Sequence, residues 1–435
     1  MALGPVAEAF GVSEISAFET SISAPDLRAP SILDMASVLP GSDNPAALGP
    51  VIGPQPVDGP ADLGRIATLS ALPLLQKLSA LPSDLLPKFI EANPGVVTQL
   101  LASPPSARMV TQWWGQLGSE TKASLMQSAP QLVGNLEGVP YSMRNTANRA
   151  FLQDTIDTLN ATINNDGRVI AEDARRQLHM LEGVRDALGD SNAKPQRTLL
   201  TLDVTGEGKA AIVLGDLRTA DYVSYLIPGM FFAVDGQMGD WTDAAARLYD
   251  DQVSWLKLFA KDGSADANAT VATVAWLGYE TPNLTDVGGP EKAYLGRDLL
   301  ARAVEGLQSM RAGNEPYVTL LAHSYGSTAA LMALTEYDFQ VDALAMVGSP
   351  GSAAQSVTDL HVKNGNVYVG EASWDPVPNS SFFGSDPGSA SYGAKPMGVA
   401  GGLDIITHQV LLGSTGHNEY FSPGTESMRN MALIG

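Results

Sequence analysis

The sequence predicts an α/β protein: a mostly parallel sheet with helices on both faces, preceded by a helical N-terminal region. Three observations predict it. Apolar runs of strand length recur at 222–227, 271–277, 318–321, 343–347 and 367–369, short and continuous, as strands buried on both faces are. Stretches with helical spacing lie between them, notably 296–310 and 327–334. Such alternation builds parallel strands joined by right-handed crossovers. Upstream of about residue 195 the pattern is helical alone.

A chain of 435 residues exceeds one ordinary compact core. Three segments are expected: a Pro/Gly/Ala-rich extended arm over 1–62, a helical region over 63–195 and a sheet domain over 196–435. The arm rests on stretches such as Leu39-Pro40-Gly41-Ser42 and Gly53-Pro54-Gln55-Pro56, which resist regular structure. The hydrophobic fraction of 44% and charged fraction of 17% are those of a globular protein. Asp and Glu number 47 against 26 Lys and Arg, a formal net charge of -21. That field repels phosphate backbones, so nucleic acid is excluded as an expected partner. The chain has no cysteine, which removes disulfides, thiolate nucleophiles and cysteine-held metals. Residues 1–27 carry no Lys or Arg and no apolar run is long enough to span a bilayer. The cytoplasm is the default expectation, although a non-classical export route leaves no such trace.

Taken in order, Pro82, Pro87, Pro94 and Pro104-Pro105 should cut the first region into short helices. Leu152, Ile156, Leu159 and Ile163 mark one face of a longer helix. A second runs over 172–188, with Ala174, Leu178, Leu181, Val184 and Leu188 on its apolar stripe and Gly189 as its stop. His179, beside that stripe, is read as structural or solvated. Near Pro195 the grammar changes. Runs at 198–202 and 210–214 flank Thr205-Gly206-Glu207-Gly208 and read as a hairpin.

The most informative segment is Val318-Thr319-Leu320-Leu321-Ala322-His323-Ser324-Tyr325-Gly326-Ser327: a buried strand, a sharp turn and the start of a helix. Ser324 stands at the apex, with small residues two before and two after it, as a strained nucleophile turn requires. A hydroxyl attacks only when a base takes its proton. The histidines able to do so are His361, His408 and His417, of which His408 reads as a core residue. His323 adjoins the serine and diverges from it, so it is read as support for the turn.

In this architecture the acid follows a late strand and the base follows the last one. Asp375, in Ser373-Trp374-Asp375-Pro376-Val377, and His417, in Thr415-Gly416-His417-Asn418-Glu419-Tyr420-Phe421, fit that order. Asp386 and Asp404 are rival acids. The two backbone N–H donors of an oxyanion hole are expected from Tyr325, after the serine, and Met230, after the break Pro228-Gly229. Phe231, Phe232 and Trp241 are candidates to line an acyl pocket, with core packing as the alternative.

These residues resemble the α/β-hydrolases common in actinobacteria and long catalogued as a domain of unknown function. The likeness covers roughly the last three quarters of the chain. It rests on Asn135-Leu136-Glu137-Gly138-Val139-Pro140, Arg144 and Ala147-Asn148-Arg149, then on Ile227-Pro228-Gly229-Met230, Ala322-His323-Ser324-Tyr325-Gly326, Gly348-Ser349-Pro350-Gly351, Asp375-Pro376-Val377 and His417-Asn418-Glu419-Tyr420-Phe421. The departure is Ala322, where such proteins usually carry Gly. The resemblance implies an α/β-hydrolase fold and a hydrolase, with no substrate attached. Arg144 and Asn148 read as structural hydrogen-bonders.

The leading expectation is a serine hydrolase that cleaves a carboxylic ester through Ser324, His417 and Asp375 by way of an acyl-enzyme. This chemistry calls for no metal or organic cofactor, and the expected partner is a small-molecule or lipid-like ester. Activity should fall as pH drops through the imidazole pKa, about 6.5 before perturbation. One alternative keeps the same triad and cleaves an amide, peptide or lipid bond. Another, of a different class, is an inactive hydrolase scaffold serving as a binding or secretion-associated protein. Sequence leaves the oligomeric state open.

Overall fold

Prolines punctuate the start of the folded chain. The computed structural model describes residues 64–435 apart from 166, 191, 262, 264, 284 and 379, and the extended arm expected over 1–62 lies outside the described residues. After a helical turn at 64–66, six short helices follow among the described residues: α1 (Ala71–Ala80), α2 (Leu86–Ala92), α3 (Gly95–Ala102), α4 (Ala107–Gln116), α5 (Ser119–Ser128) and α6 (Pro130–Asn135). Pro87 and Pro130 sit in the first turns of α2 and α6, where a missing N–H costs nothing. These helices bury Leu74, Leu78, Phe89, Leu100, Trp113 and Leu125 in a core of their own.

Two long helices follow, α7 (Tyr141–Asn165) and α8 (Arg168–Leu188). Leu152, Ile156 and Leu159 are buried on α7, and α8 ends on Gly189 at φ 58, a backbone that glycine adopts without strain. At the head of α7, the buried Arg144 guanidinium donates to the Gly134 carbonyl at 3.0 Å and to Glu137 Oε2 and Oε1 at 2.5 and 2.9 Å. Asn148 Nδ2 reaches the same Gly134 carbonyl at 3.0 Å and that of Leu199 at 3.2 Å. Asn148 therefore ties the helices to the first strand, where Arg144 adds a 3.4 Å contact to Thr201 Oγ1.

The strands are β1 (Arg197–Asp203), β2 (Lys209–Gly215), β3 (Tyr222–Ile227), β4 (Val271–Leu277), β5 (Tyr317–His323), β6 (Ala343–Val347), β7 (Val367–Gly370) and β8 (Lys395–Pro396). They form one sheet in the order β1-β2-β4-β3-β5-β6-β7-β8. β1 and β2 pair antiparallel, as do β2 and β4, and every other pairing is parallel. Helices α9 (Val234–Ala260), α10 (Glu291–Met310), α11 (Tyr325–Glu336) and α12 (Glu426–Ile434) complete the frame. The sheet is covered on both faces: α10 and α11 pack on one, and α7, α8, α9 and α12 on the other. Among the described residues no helix is long and apolar enough to cross a membrane.

Several elements differ from the sequence pattern. The helices expected over 296–310 and 327–334 begin at Glu291 and Tyr325, because the charged pair Glu291-Lys292 in one and the small residues Gly326-Ser327-Thr328 in the other hide the period in their first turns. The pattern assigned nothing to α9, whose chain breaks at Asp235 (ψ 111) and Gly236 (φ 90) before the regular helix. His408, read as a core histidine, is exposed on a short hairpin of β9 (Gly402–Leu403) and β10 (Val410–Leu411) at φ 56. Its apolar neighbours Ile405, Ile406 and Val410 are exposed too, so local hydropathy misplaces the whole hairpin.

Candidate active site

β5 carries the chain straight from the sheet interior to Ser324, which has φ 52 and ψ −132. Left-handed backbone at a serine costs about 1 to 3 kcal/mol and persists where surroundings over-determine it. Here the Ser324 N–H donates to the Val347 carbonyl of β6 at 3.0 Å, and Ser327 Oγ donates to the Ser324 carbonyl at 2.5 Å. Gly326 is demanded by crowding: a Cβ there would lie 2.3 Å from the Pro228 carbonyl oxygen. The turn thus hoists the Ser324 hydroxyl above the carboxyl ends of the parallel strands.

His417 arrives on the loop between β10 and α12. Gly416 N–H donates to the Ser373 carbonyl at 2.9 Å and Ser373 pairs with Thr415, so the His417 and Asp375 loops are laced together. His417 Nε2 lies 2.7 Å from Ser324 Oγ, and His417 Nδ1 lies 3.0 Å from both Asp375 Oδ1 and Oδ2. The carboxylate accepts from Nδ1–H, leaving the Nε2 lone pair facing the hydroxyl. The Asp375 and His417 side chains are almost fully buried.

Asp375 has two further donors. Tyr420 Oη donates to Oδ2 at 2.6 Å and the Val377 N–H to Oδ1 at 3.0 Å. Burial alone would raise this carboxyl, but the His417 contact with these two donors outweighs it and holds the group below its ordinary value. Tyr420 moves the other way: burial, reinforced by the Asp375 charge, raises its phenol. It stays protonated and remains a donor.

His323 does a different job from the one expected. Rather than bracing its own turn, its Nε2–H donates to the His417 carbonyl at 2.7 Å. Burial first and the neighbouring His417 second lower its pKa to about 3, so it is a neutral strut at ordinary pH. The other candidates are engaged elsewhere. His361 Nδ1 faces the Tyr337 carbonyl at 2.5 Å, Asp386 accepts from Gly388 N–H, and Asp404 pairs with Arg429. The exposed His179 meets Asp235 at 2.6 Å.

A cavity of about 270 Å³ opens beside the serine, lined by Met230, Phe231, Phe232, Trp241, His323, Ser324, His417, Asn418 and Phe421. The Phe232 and Trp241 rings meet edge to face at 4.8 Å, and Trp241 and Phe421 at 5.0 Å. Trp241 serves both wall and core, its Nε1–H donating to the Leu226 carbonyl at 3.2 Å. Tyr325 begins α11, where N–H groups have no partner within the helix. Among the described residues no acceptor pairs with the backbone N–H of Tyr325 or of Met230. Nor do the described residues include three or more His, Asp or Glu side chains arranged to hold a metal ion. Sequence reasoning missed Tyr420, Asn418 and Phe421 as parts of the site, although all three stand within four residues of His417.

Residues 203–385 match the family described as alpha/beta hydrolase. The chain has the alpha/beta hydrolase fold. An uncharacterized protein of Mycobacterium tuberculosis is 30% identical to this chain over 380 residues, 76% of this chain and 56% of the relative. The chain therefore spans little more than half the length of that relative. An uncharacterized protein of Mycobacterium bovis is 29% identical over 215 residues, 48% of this chain and 78% of the relative. Both relatives are mycobacterial proteins described as uncharacterized. The family match takes in Met230, Ser324 and Asp375 and ends before His417.

Proposed function

We propose that this alpha/beta hydrolase is a serine esterase that acts through Ser324, His417 and Asp375. The observation that carries the reading is the unbroken contact from Asp375 through His417 to Ser324 Oγ, closing at 2.7 Å beside an apolar cavity. In this reading Ser324 Oγ attacks the ester carbonyl while His417 Nε2 takes its proton. The oxyanion that forms is met by the N–H groups of Met230 and Tyr325. His417 returns the proton to the departing alkoxide, the C–O bond breaks, and an acyl-enzyme remains. Water, deprotonated by His417, then releases the acid and restores the serine. Asp375 stays ionised throughout and steadies the imidazolium.

Cavity size narrows the substrate. An apolar cavity of about 150 Å³ holds one benzene, so the 270 Å³ here takes an acyl group of about ten non-hydrogen atoms by that scale. The test compares p-nitrophenyl butyrate with butyryl p-nitroanilide. Wild type is expected to cleave the ester and to be labelled by a fluorophosphonate. Ser324→Ala is expected to lose labelling and to drop kcat by about 10⁶. An unchanged ester rate in Ser324→Ala sinks the reading, and faster anilide than ester turnover reassigns the bond to an amide.

A further inference from the structure

The carboxyl edge of the sheet carries an unusual set of exposed apolar side chains. Trp374, 91% exposed, precedes Asp375 directly, and Phe231, 43% exposed, lines the cavity. Phe382, 44% exposed, meets Phe383 edge to face at 4.9 Å, and Phe383 meets the Tyr325 ring at 5.3 Å. Tyr294 and Leu295, also exposed, follow Ala293, whose N–H donates to Tyr325 Oη at 3.0 Å. Trp374 and Phe231 thus adjoin Asp375 and Met230 in the chain, Phe382 is two ring contacts from Tyr325, and Tyr294 and Leu295 follow the residue bonded to Tyr325 Oη. By topology all five follow the carboxyl ends of β3, β4 and β7, the edge on which Ser324 stands.

Two of these residues are held outward against local preference. Trp374 has φ 66 and Phe231 φ 62, left-handed backbone that aromatic residues seldom adopt. A bulky ring turned to water on a strained backbone is not an accident of composition, since tryptophan is ordinarily well buried. Aromatic rings suit the boundary between water and hydrocarbon, where one end is wet and the other apolar.

Resting on the esterase reading, we propose that this rim is a docking face for an uncharged lipid–water surface, and that the substrate is an ester presented there. Charge selects the surface. The chain carries -21, Glu291 and Glu419 are exposed at the rim, and the cations near Tyr294 are already paired, Lys292 with Glu280 and Arg297 with Asp298 and Glu336, so an anionic surface is repelled. The cavity admits the acyl end of one ester molecule while the rim holds the aggregate against the mouth.

The test floats the full chain with phosphatidylcholine vesicles and, separately, follows tributyrin hydrolysis from dissolved to emulsified substrate. Wild type is expected to rise with the vesicles and to accelerate at least tenfold on emulsion. The double variant Trp374→Asn, Phe382→Ser is expected to stay in solution and to lose that acceleration ratio. Leu403→Ser with Val410→Ser, on the exposed β9–β10 hairpin, is expected to float like wild type. The proposal is overturned if wild type stays in solution, if the rim variant floats equally, if the hairpin variant alone loses flotation, or if phosphatidylglycerol is preferred. It is also overturned if wild type pairs with a second copy instead of the vesicle. Fluorophosphonate labelling of Ser324 reads the esterase proposal separately, because flotation requires no catalysis.

Discussion

Tyr420 gives Asp375 a donor that the usual three-residue account leaves out. Its hydroxyl bridges the carboxylate at 2.6 Å and the Ala372 N–H at 2.9 Å, so Tyr420→Phe strips a buried charge of one partner. A hydrogen bond to a charged group contributes about 1.5 to 3 kcal/mol, and urea unfolding at pH 7 should register a loss of that order. The sign of its pH dependence follows from Asp375, whose folded pKa is depressed. The stabilisation is complete above the unfolded value of about 3.9 and disappears as pH falls through the lower folded value. Asp375→Asn should lower kcat on p-nitrophenyl butyrate by about 10⁴. Gly348 gives a steric test: at φ 60, an added Cβ would lie 3.0 Å from Asp375 Oδ2 and from His417 Nδ1. Gly348→Ala should therefore displace the pair and cut kcat by about 10², with steady-state kinetics as the measure. That Ser324, His417 and Asp375 would meet was legible, because the fold sets their order along the chain. The parts played by Tyr420 and His323 were not, since a partner 45 or 94 residues away along the chain leaves no spacing to read.

At the scale of elements, the buried strands announced themselves because both faces are covered, so that continuous apolar runs survive in the sequence. The long helix α9 was equally available. Met238, Trp241, Ala245, Leu248, Gln252 and Trp255 are all buried and recur at intervals of three and four, but acidic residues between them mask the stripe. β8 and the β9–β10 hairpin have only two residues per strand, too short for periodicity to act. The helical region is fixed to the sheet at Arg144, and this makes a prediction. Arg144→Met leaves the Glu137 carboxylate without its cation and the Gly134 carbonyl with one donor fewer. Breaking such a pair from one side costs about 3 to 5 kcal/mol, which denaturant unfolding should show, while KM of the remaining folded protein stays near wild type.

Over the whole molecule, acid should loosen the structure at a second place, the Asp404–Arg429 pair. Burial would raise the Asp404 carboxyl, but two Arg429 hydrogen bonds at 3.0 and 2.9 Å and the Ile406 N–H pull it down to about 2. Its contribution is whole above about 3.9 and fades as pH falls toward 2. Asp404→Asn should accordingly lower Tm at pH 7, and the gap from wild type should close below pH 3 in thermal scans. The link between His323 and the His417 carbonyl has a consequence for how the protein comes apart. β5 lies among the central strands, ends on His323 and leads directly into Ser324, and His323 holds the His417 carbonyl, so the proposed centre is expected to come apart with the sheet rather than before it. A serine-directed probe then becomes a gauge of cooperativity. In a urea series, the midpoint for losing fluorophosphonate labelling should coincide with the midpoint for losing native tryptophan fluorescence, and labelling lost well before fluorescence would mean that the centre melts as an island.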